Sequence, residues 1–166
     1  LRVGESGVQS GVLTARDLAI PHPGMELILS SDSGAGSVAI DGGLDADLTL
    51  GVSSGTGSII FGDAAATTYR TGGPQSYAGD IVAPTMPADQ ILTFSAETFD
   101  FATGGGRTIE TPGVLRFAPY DGSAALDVGG TAGASFLLDD GELDAIAQAS
   151  AVELGIDGQQ SGPVTI

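Results

Sequence analysis

Short stretches that alternate apolar and polar residues recur along the chain, and this period of two is typical of half-buried β-strands. The stretches predict nine strands: residues 25–29, 37–40, 48–50, 58–61, 91–94, 114–117, 125–128, 136–138 and 152–154. Glycine-rich turns such as Asp41-Gly42-Gly43 separate them, because glycine supplies the positive φ that tight turns need. The sequence therefore predicts an all-β protein, with strand centres stepping by roughly 10–12 residues in its first third.

Two all-β architectures fit this pattern: a tandem β-sandwich repeat and a parallel β-helix, a solenoid whose coils stack on one another. We favour the solenoid because the strands are short and numerous, and because Val, Ile, Leu and Ala at the inward positions suit stacking in a narrow tube. With roughly 20–25 residues per coil, the chain would make about six or seven coils and on the order of 30 Å of rod.

One segment predicts a short side helix near residues 140–149. Asp139-Asp140-Gly141-Glu142 matches a capping box, with Asp139 as N-cap and Glu142 reaching back. Leu143, Ile146 and Ala147 then fall on one helical face. A helix that docks a partner and a local excursion from one coil both fit, and we favour the excursion.

Residues 62–90 depart from the strand pattern and predict a looser loop or edge region, because they contain Gly72-Gly73-Pro74 and two further prolines. Tyr69, Arg70 and Tyr77 lie in this region. They would form either an exposed contact patch, since Tyr and Arg are favoured at interfaces, or a stacked pair with one ordinary salt bridge. We favour the second interpretation.

The two ends of the chain share a sequence. Residues 3–15 (VGESGVQSGVLTA) align without a gap with residues 154–166 (LGIDGQQSGPVTI), at a constant offset of 151 residues. The six identical positions are Gly4/Gly155, Gly7/Gly158, Gln9/Gln160, Ser10/Ser161, Gly11/Gly162 and Thr14/Thr165. A chain rich in Gly and Ser also produces matches by chance, but this placement over both ends favours a repeat.

We therefore interpret residues 1–166 as a single β-solenoid segment, slightly more than one ~151-residue unit of a longer tandem array. The absence of an initiator Met and the strand-like run at residues 163–166 point to the same interpretation.

Composition narrows the classes of function. The formal net charge of −16 opposes binding to nucleic acids and to anionic membrane surfaces, since both are negatively charged. The chain has no Cys, which excludes disulfides and thiolate metal sites. It also has no Asn, so it carries no N-glycosylation acceptor. An apolar share of 42% is ordinary for a folded domain.

Signals for catalysis are weak, and the sequence predicts no enzyme activity, no catalytic residue and no cofactor. A Ser-His-Asp triad would have to use His22, which lies between two prolines and is more typical of a turn. Asp45/Asp47 and Asp139/Asp140 are carboxylate pairs expected by chance among 21 acidic residues. A carbohydrate-binding or polysaccharide-cleaving β-helix, which would use clustered carboxylates on one face, is the alternative function.

A hypothesis of calcium binding rests on residues 42–50 (GGLDADLTL), which resemble the nonapeptide Gly-Gly-x-Gly-x-Asp-x-apolar-x of Ca²⁺-binding β-rolls. Asp45 replaces the third glycine, and no second copy follows in tandem. Because such sites need adjacent turns to complete the coordination, we assign no metal ligand here, and an acidic turn before a strand remains the simpler interpretation.

The second half of the chain resembles repeats of giant filamentous-haemagglutinin-like bacterial exoproteins, which are exported by two-partner secretion. The resemblance is carried by an L-x-F-x-P strand at residues 115–119, a GG-x-x-G turn at 129–133, a D-x-x-E-L helix start at 139–143 and a closing G-x-x-x-G-x-V-T-I strand at 158–166. Residues 67–79, with TTY and QSYAG, are also similar to such repeats.

This resemblance implies a right-handed parallel β-helix that is secreted to the bacterial cell surface and serves in adhesion or as a stalk. The expected function is therefore a structural repeat of a large secreted or cell-surface fibre or adhesin. Its expected partners are neighbouring repeats of the same chain, lateral copies of itself, and a host or neighbouring-cell surface. No nucleic acid and no membrane insertion are expected.

Overall fold

The computed structural model describes residues 1–16, 18, 23–62, 68–102, 106–129, 136–156 and 159–165. These residues form strands and one short helix in the following order: β1 Arg2–Val3, β2 Val12–Arg16, β3 Met25–Ser31, β4 Ser37–Asp41, β5 Leu44–Ala46, β6 Leu48–Phe61, β7 Thr68–Thr71, β8 Gln75–Val82, β9 Ile91–Ala96, β10 Phe99–Phe101, β11 Ile109–Glu110, β12 Val114–Pro119, β13 Leu126–Val128, β14 Phe136–Leu138, α1 Asp140–Asp144, β15 Ile146–Gln148, β16 Ala151–Leu154 and β17 Val164–Thr165.

The strands pair in parallel and build a solenoid with three faces. On the first face β1, β3, the start of β6, the start of β8 and β10 follow one another. The second face carries β2, β4, the end of β6, the end of β8, β11 and β15. The third face is the five-stranded sheet β5-β7-β9-β12-β16. Residues one coil apart in sequence are therefore neighbours across a ladder, as in Leu50 and Gln75.

The C-terminal end departs from this regular winding. A separate three-stranded sheet at this end has the order β14-β13-β17, so the later strand β14 does not follow β13 outward along the axis. It lies beside β10 instead, which makes this C-terminal sheet an extension of the first face. The chain between β12 and β15 makes this excursion, and the last turn consequently takes 37 residues, as in Val114 to Ala151.

The core fills the tube with the inward half of each alternating strand. Tyr69, Tyr77, Phe94 and Phe117 are fully buried, and neighbouring aromatic rings meet with centroids 4.5–6.3 Å apart, mostly edge to face. Gln75 is buried among them and hydrogen-bonds the backbone of two coils, to Tyr69 O at 2.9 Å and Ser95 O at 3.0 Å. This polar side chain therefore joins adjacent coils inside the tube.

The predicted fold class is confirmed: the chain is a nearly all-β parallel solenoid. All nine predicted runs form strands. The number of coils was wrong, because the structure makes about four turns rather than six or seven. Partner strands in the regular part are mostly 21–26 residues apart, and the excursion lengthens the last turn well beyond that.

Two local predictions need correction. The helix starts at the predicted capping box but ends at Asp144, because Ile146 pairs with Ile109 in the parallel ladder of the second face. Tertiary pairing thus overrides the helical spacing of Ile146 and Ala147. Of the predicted loose region 62–90, the described residues 68–90 are not a loose edge, because they contain all of β7 and β8.

Candidate functional site

The two ends of the solenoid carry the exposed apolar surface. Among the described residues, all six exposed large apolar side chains lie in the first or the last coil: Leu1, Val3, Val8, Val12, Val152 and Val164. Val8 and Val12 are 64% and 67% exposed. Strands β1, β2, β16 and β17 each pair with one strand, and no other described residue covers their second edges. Open strand edges beside apolar side chains are places where further strands add.

The two end segments that share a sequence also share a local structure. In both, a strand leads into a glycine with positive φ, 85° at Gly4 and 79° at Gly155. The same turn follows, in which Glu5 O accepts from Val8 N and Gln9 N, and Ile156 O accepts from Gln159 N and Gln160 N. A second strand then begins in each copy, β2 and β17.

The first copy is covered by the coil that follows it. Gly7 N donates to the Asp32 carboxylate at 2.6 Å, and the Ser6 hydroxyl donates to it at 2.7 Å. The backbone bond from Gly7, and then the Ser6 hydroxyl, hold the pKa of Asp32 below its ordinary value. A Cβ atom on Gly4 would collide with Ser30 O. The following coil therefore fits closely over this turn and caps it.

The second copy packs on the coil that precedes it. Gln160 Nε2 donates to Ala124 O at 2.9 Å, and Gly122 O accepts from Ser161 N at 2.7 Å. A Cβ on Gly162 would collide with Ala124 O. The two copies thus show opposite sides of one turn, one in contact with the next coil and one in contact with the previous coil.

A groove of about 650 Å³ opens at the C-terminal end, beside the second copy. It is lined by Arg116, Glu153, Leu154, Gly155, Ile156, Gln160 and Val164. Arg116 Nε donates to Glu153 Oε2 at 2.9 Å across β12 and β16. In the first copy, the positions that correspond to this groove are covered by β3 and by the Ser30–Asp32 segment.

A second, smaller groove of about 320 Å³ runs across the outer surface of the first face. Its floor is the register row Ile28, Gly51, Ser76 and Asp100, one residue from each of four successive strands. Glu26 adds another carboxyl group to its lining. Small and polar residues therefore leave a trough across the coils.

The candidate contact residues of residues 62–90 occupy different places. Tyr69 and Tyr77 are buried in the aromatic core, where burial raises the pKa of Tyr77 well above its usual value. Arg70 is at the surface, with Nη1 3.0 Å from Asp45 Oδ1 and its guanidinium 4.0 Å above the Tyr120 ring. Tyr69, Arg70 and Tyr77 therefore do not form an exposed contact patch, but Arg70 does form an ordinary salt bridge with Asp45.

The acidic pairs do not assemble into a metal site. Asp45 faces Arg70 across the ladder, and Asp139 is the N-cap of α1. Within the part of the chain that the structure describes, no three His, Cys, Asp or Glu side chains are grouped to hold a metal ion. His22 lies outside the described residues.

One serine motif adds to the catalytic candidates named from the sequence. Residues 51–55 read Gly-Val-Ser-Ser-Gly, the spacing of a nucleophile elbow. They lie inside the continuous strand β6, with no strand-to-helix turn, and Ser53 Oγ donates to Ser30 Oγ at 2.9 Å. The serine is therefore part of the ladder surface.

Glu142 is a buried acid whose second role the sequence did not reveal. One carboxylate oxygen accepts from Asp139 N and completes the predicted capping box, while the other accepts from Phe101 N, each at 3.0 Å. Burial raises the pKa of Glu142 to about 7, against the two backbone bonds that lower it. This carboxyl group ties α1 to strand β10.

None of the three comparisons, with protein-family models, with curated proteins and with solved structures, finds a match to this chain. The helix that the structure describes is too short to cross a membrane. The arguments for function therefore come from the geometry of the two ends and from the sequence.

Proposed function

We propose that the chain is a structural repeat of a large secreted or cell-surface bacterial fibre or adhesin, in which stacked units form a stiff stalk. The observation that carries this proposal is the pair of equivalent turns at opposite ends of the solenoid. The first copy contacts the next coil and the second copy contacts the previous coil. One unit can therefore continue into the next through a single shared turn.

The exposed apolar residues support the same function. A monomer that worked alone would gain little from Val8, Val12 and Val164 in solvent at its two ends. In an array each of these positions would lie between two coils, because solenoid repeats are stabilised by their neighbours. The apolar ends are thus the surfaces that an array buries.

The continuous ladders support a stiff element. Parallel pairing runs from β1 through β3, β6 and β8 on the first face and from β5 to β16 on the third. Neighbouring coils share backbone hydrogen bonds on all three faces, so bending would have to stretch a ladder. The location at the bacterial surface rests on the resemblance to filamentous-haemagglutinin-like repeats.

A chain with two units tests the proposal. Residues 1–166 followed directly by residues 16–166 give two units that share one copy of the turn. Electron microscopy should show a thin rod that lengthens by a fixed step, on the order of 20–30 Å for each unit at about 4.8 Å per turn. The melting temperature should exceed that of the single chain, because one pair of open ends is removed.

The matched control joins two complete 1–166 chains through a flexible Gly/Ser linker. This control should give two separate particles with the melting temperature of the single chain. If the directly joined chain also appears as two beads and melts like the control, the structural-repeat function is wrong.

The trough on the first face favours a second candidate, the binding of an extended glycan. Glu26, Thr49, Ser76 and Asp100 offer polar groups along it. The two carboxyl groups stand three strands apart, roughly 15 Å, whereas glycosidase acid pairs lie about 5–9.5 Å apart. The trough thus fits binding better than cleavage. A glycan array with the wild type and the Glu26→Gln/Asp100→Asn double variant tests this, and equal or absent signals would remove the candidate.

A further inference from the structure

The two equivalent segments do not lie on the same faces of the solenoid. In the first copy, β1 belongs to the first face and β2 to the second. The strands that correspond at the offset of 151 residues are β16 and β17, and they belong to the third face and to the C-terminal sheet that extends the first face. Both strands are displaced by one face in the same direction around the axis.

We infer that successive units are rotated by one face, a third of a turn, and that the C-terminal groove receives the segment of the next unit that corresponds to Ser30–Asp32. This inference rests on the proposed function and specifies the partner of its interface. The third face of one unit would continue as the first face of the next, and the extended first face would continue as the second.

Inward and outward positions agree with this rotation. Phe117 pairs with Leu154, which corresponds to Val3, and Val3 pairs with Leu29. Phe117 and Leu29 are both buried in the core, so the inward column of the third face passes into the inward column of the first face.

The other ladder gives the same result. Leu126 pairs with Val164, which corresponds to Leu13, and Leu13 pairs with the buried Val38. A shift of one residue would have turned these side chains outward. Since both ladders keep their alternation, the shared turn can serve both units at once.

The first copy shows how the groove would be filled. Ser30 O lies against Gly4, and Asp32 caps the turn through Gly7 N. In an array the corresponding Ser30 and Asp32 of the next unit would lie against the second copy, beside Gly155. Of the two residues that donate to Asp32 in the first copy, Gly7 is kept as Gly158 and Ser6 is replaced by Asp157, so the hydroxyl bond to Asp32 has no counterpart at the junction.

The open N-terminal end carries two residues whose neighbours would come from a preceding unit. Gly11 has no positive φ, and the Gln9 side chain at 3.6 Å is all that a Cβ there would meet among the described atoms. Gln9 itself makes no side-chain hydrogen bond to a described residue. The corresponding Gly162 and Gln160 both contact Ala124 of the preceding coil. A preceding unit would supply the same contacts to Gly11 and Gln9.

The rotation has a consequence for recognition along the stalk. A surface feature of one unit, such as the trough on the first face, would reappear on the same side of the rod only every third unit. Lateral contacts along one side of a fibre would therefore repeat with a period of three units.

Cysteine cross-linking in the directly joined two-unit chain tests the rotation, because the natural sequence has no Cys. Glu153→Cys is combined with Ile28→Cys of the second unit, and Thr165→Cys with Ala39→Cys of the second unit. Rotation by one face places both pairs across a ladder, within reach of a disulfide. The Arg2→Cys/Ile28→Cys and Thr14→Cys/Ala39→Cys pairs of the single chain are matched positive controls, since those residues are ladder partners.

The pair Thr165→Cys with Ile28→Cys of the second unit is the opposing test, because it would meet only if first face followed first face. We expect near-complete disulfide formation in the Glu153/Ile28 and Thr165/Ala39 pairs and none in the Thr165/Ile28 pair. Mass spectrometry of unreduced peptides measures all three. Disulfide formation in the third pair, or rods by microscopy without the first two disulfides, would overturn the rotation alone. Beads by microscopy would instead contradict the proposed function.

Glycine variants test the filled groove without thiols. In the single chain, Gly4→Ala meets Ser30 O, whereas Gly155→Ala meets only the flexible Gln160 side chain. Gly4→Ala should therefore lower the melting temperature more than Gly155→Ala. In the two-unit chain, Gly155→Ala of the first unit should become as harmful as Gly4→Ala. An unchanged effect of Gly155→Ala would mean that the groove stays empty.

Discussion

The central coils and the two end coils are built from the same alternating strands, but they differ in what covers them. Phe61, Tyr77 and Phe94 in the centre are buried in coils that have a further coil on each side, while Val12 and Val164 at the ends are exposed in strands that each pair with one described strand. The difference shows that alternation alone does not determine burial in a solenoid. Each strand is completed by its neighbours, and the end coils carry the information about what those neighbours must be.

The largest expected difference in stability between the central and the end coils is at Phe94. Its ring contacts those of Tyr69, Tyr77 and Phe117, and no part of it is exposed. Phe94→Ala should lower the free energy of unfolding by about 3–5 kcal/mol, because it removes apolar burial and leaves a cavity. Val8→Ala, at an exposed end position, should change it by less than about 0.5 kcal/mol in the single chain.

Urea denaturation of both variants measures the contrast. Equal losses for Phe94→Ala and Val8→Ala would mean that the centre is no better packed than the ends.

The polar tie inside the central coils should have the next largest effect. Gln75 donates to Tyr69 O and Ser95 O and accepts from the Tyr77 hydroxyl at 3.0 Å. Gln75→Leu leaves these groups without that partner in an apolar tube, and we expect a loss of roughly 2–4 kcal/mol. Tyr77→Phe, which removes a single hydroxyl, should cost about 1 kcal/mol. Thermal unfolding checks both, and a smaller loss for Gln75→Leu than for Tyr77→Phe would contradict this view of the network.

A matched pair of glycines separates the two ends. Gly162→Ala should destabilise the single chain by about 1–3 kcal/mol, because a methyl group there meets Ala124 O and Ser123 O. Gly11→Ala at the corresponding position should change stability by less than about 0.5 kcal/mol, since among the described atoms a methyl group there meets only the Gln9 side chain. Chemical denaturation compares them, and equal costs would show that the two turns differ in more than their neighbours.

Much of the fold could be predicted from the sequence because its signals are local. Alternation located nine runs that lie in eight of the described strands, since two of them belong to β6, and the capping box of Asp139 and Glu142 needs only four consecutive residues. The strands β7 and β8 were missed because Gly72-Gly73-Pro74 and nearby prolines resemble a loop. Tyr69 and Tyr77 between them become core residues only when the neighbouring coils are in place.

The candidate site depended on more distant contacts, which a single sequence does not show. The shared turn was visible as a repeat of 13 residues. That its two copies contact opposite neighbours, and lie on different faces, follows only from the ladder registers. Glu142 likewise accepts from Phe101, which is 41 residues away, so the link between α1 and β10 had no local signal.

The smallest expected effect concerns pH and the excursion that separates the central coils from the C-terminal end. Because burial raises the folded-state pKa of Glu142 to about 7 from an ordinary value of 4.5, the folded chain binds more protons than the unfolded chain between these values. Its contribution to stability is therefore greatest below about pH 4.5 and falls as pH rises through 7, by on the order of 1 kcal/mol after discounting for solvent.

Glu142→Gln should lower stability at every pH, because its amide N–H₂ group meets a backbone donor, and it should remove this pH dependence. Glu97→Gln, the same change on an exposed side chain, should keep the wild-type slope. Melting temperatures between pH 4.5 and 8 measure all three, and a wild-type slope in Glu142→Gln would assign the pH dependence to another group.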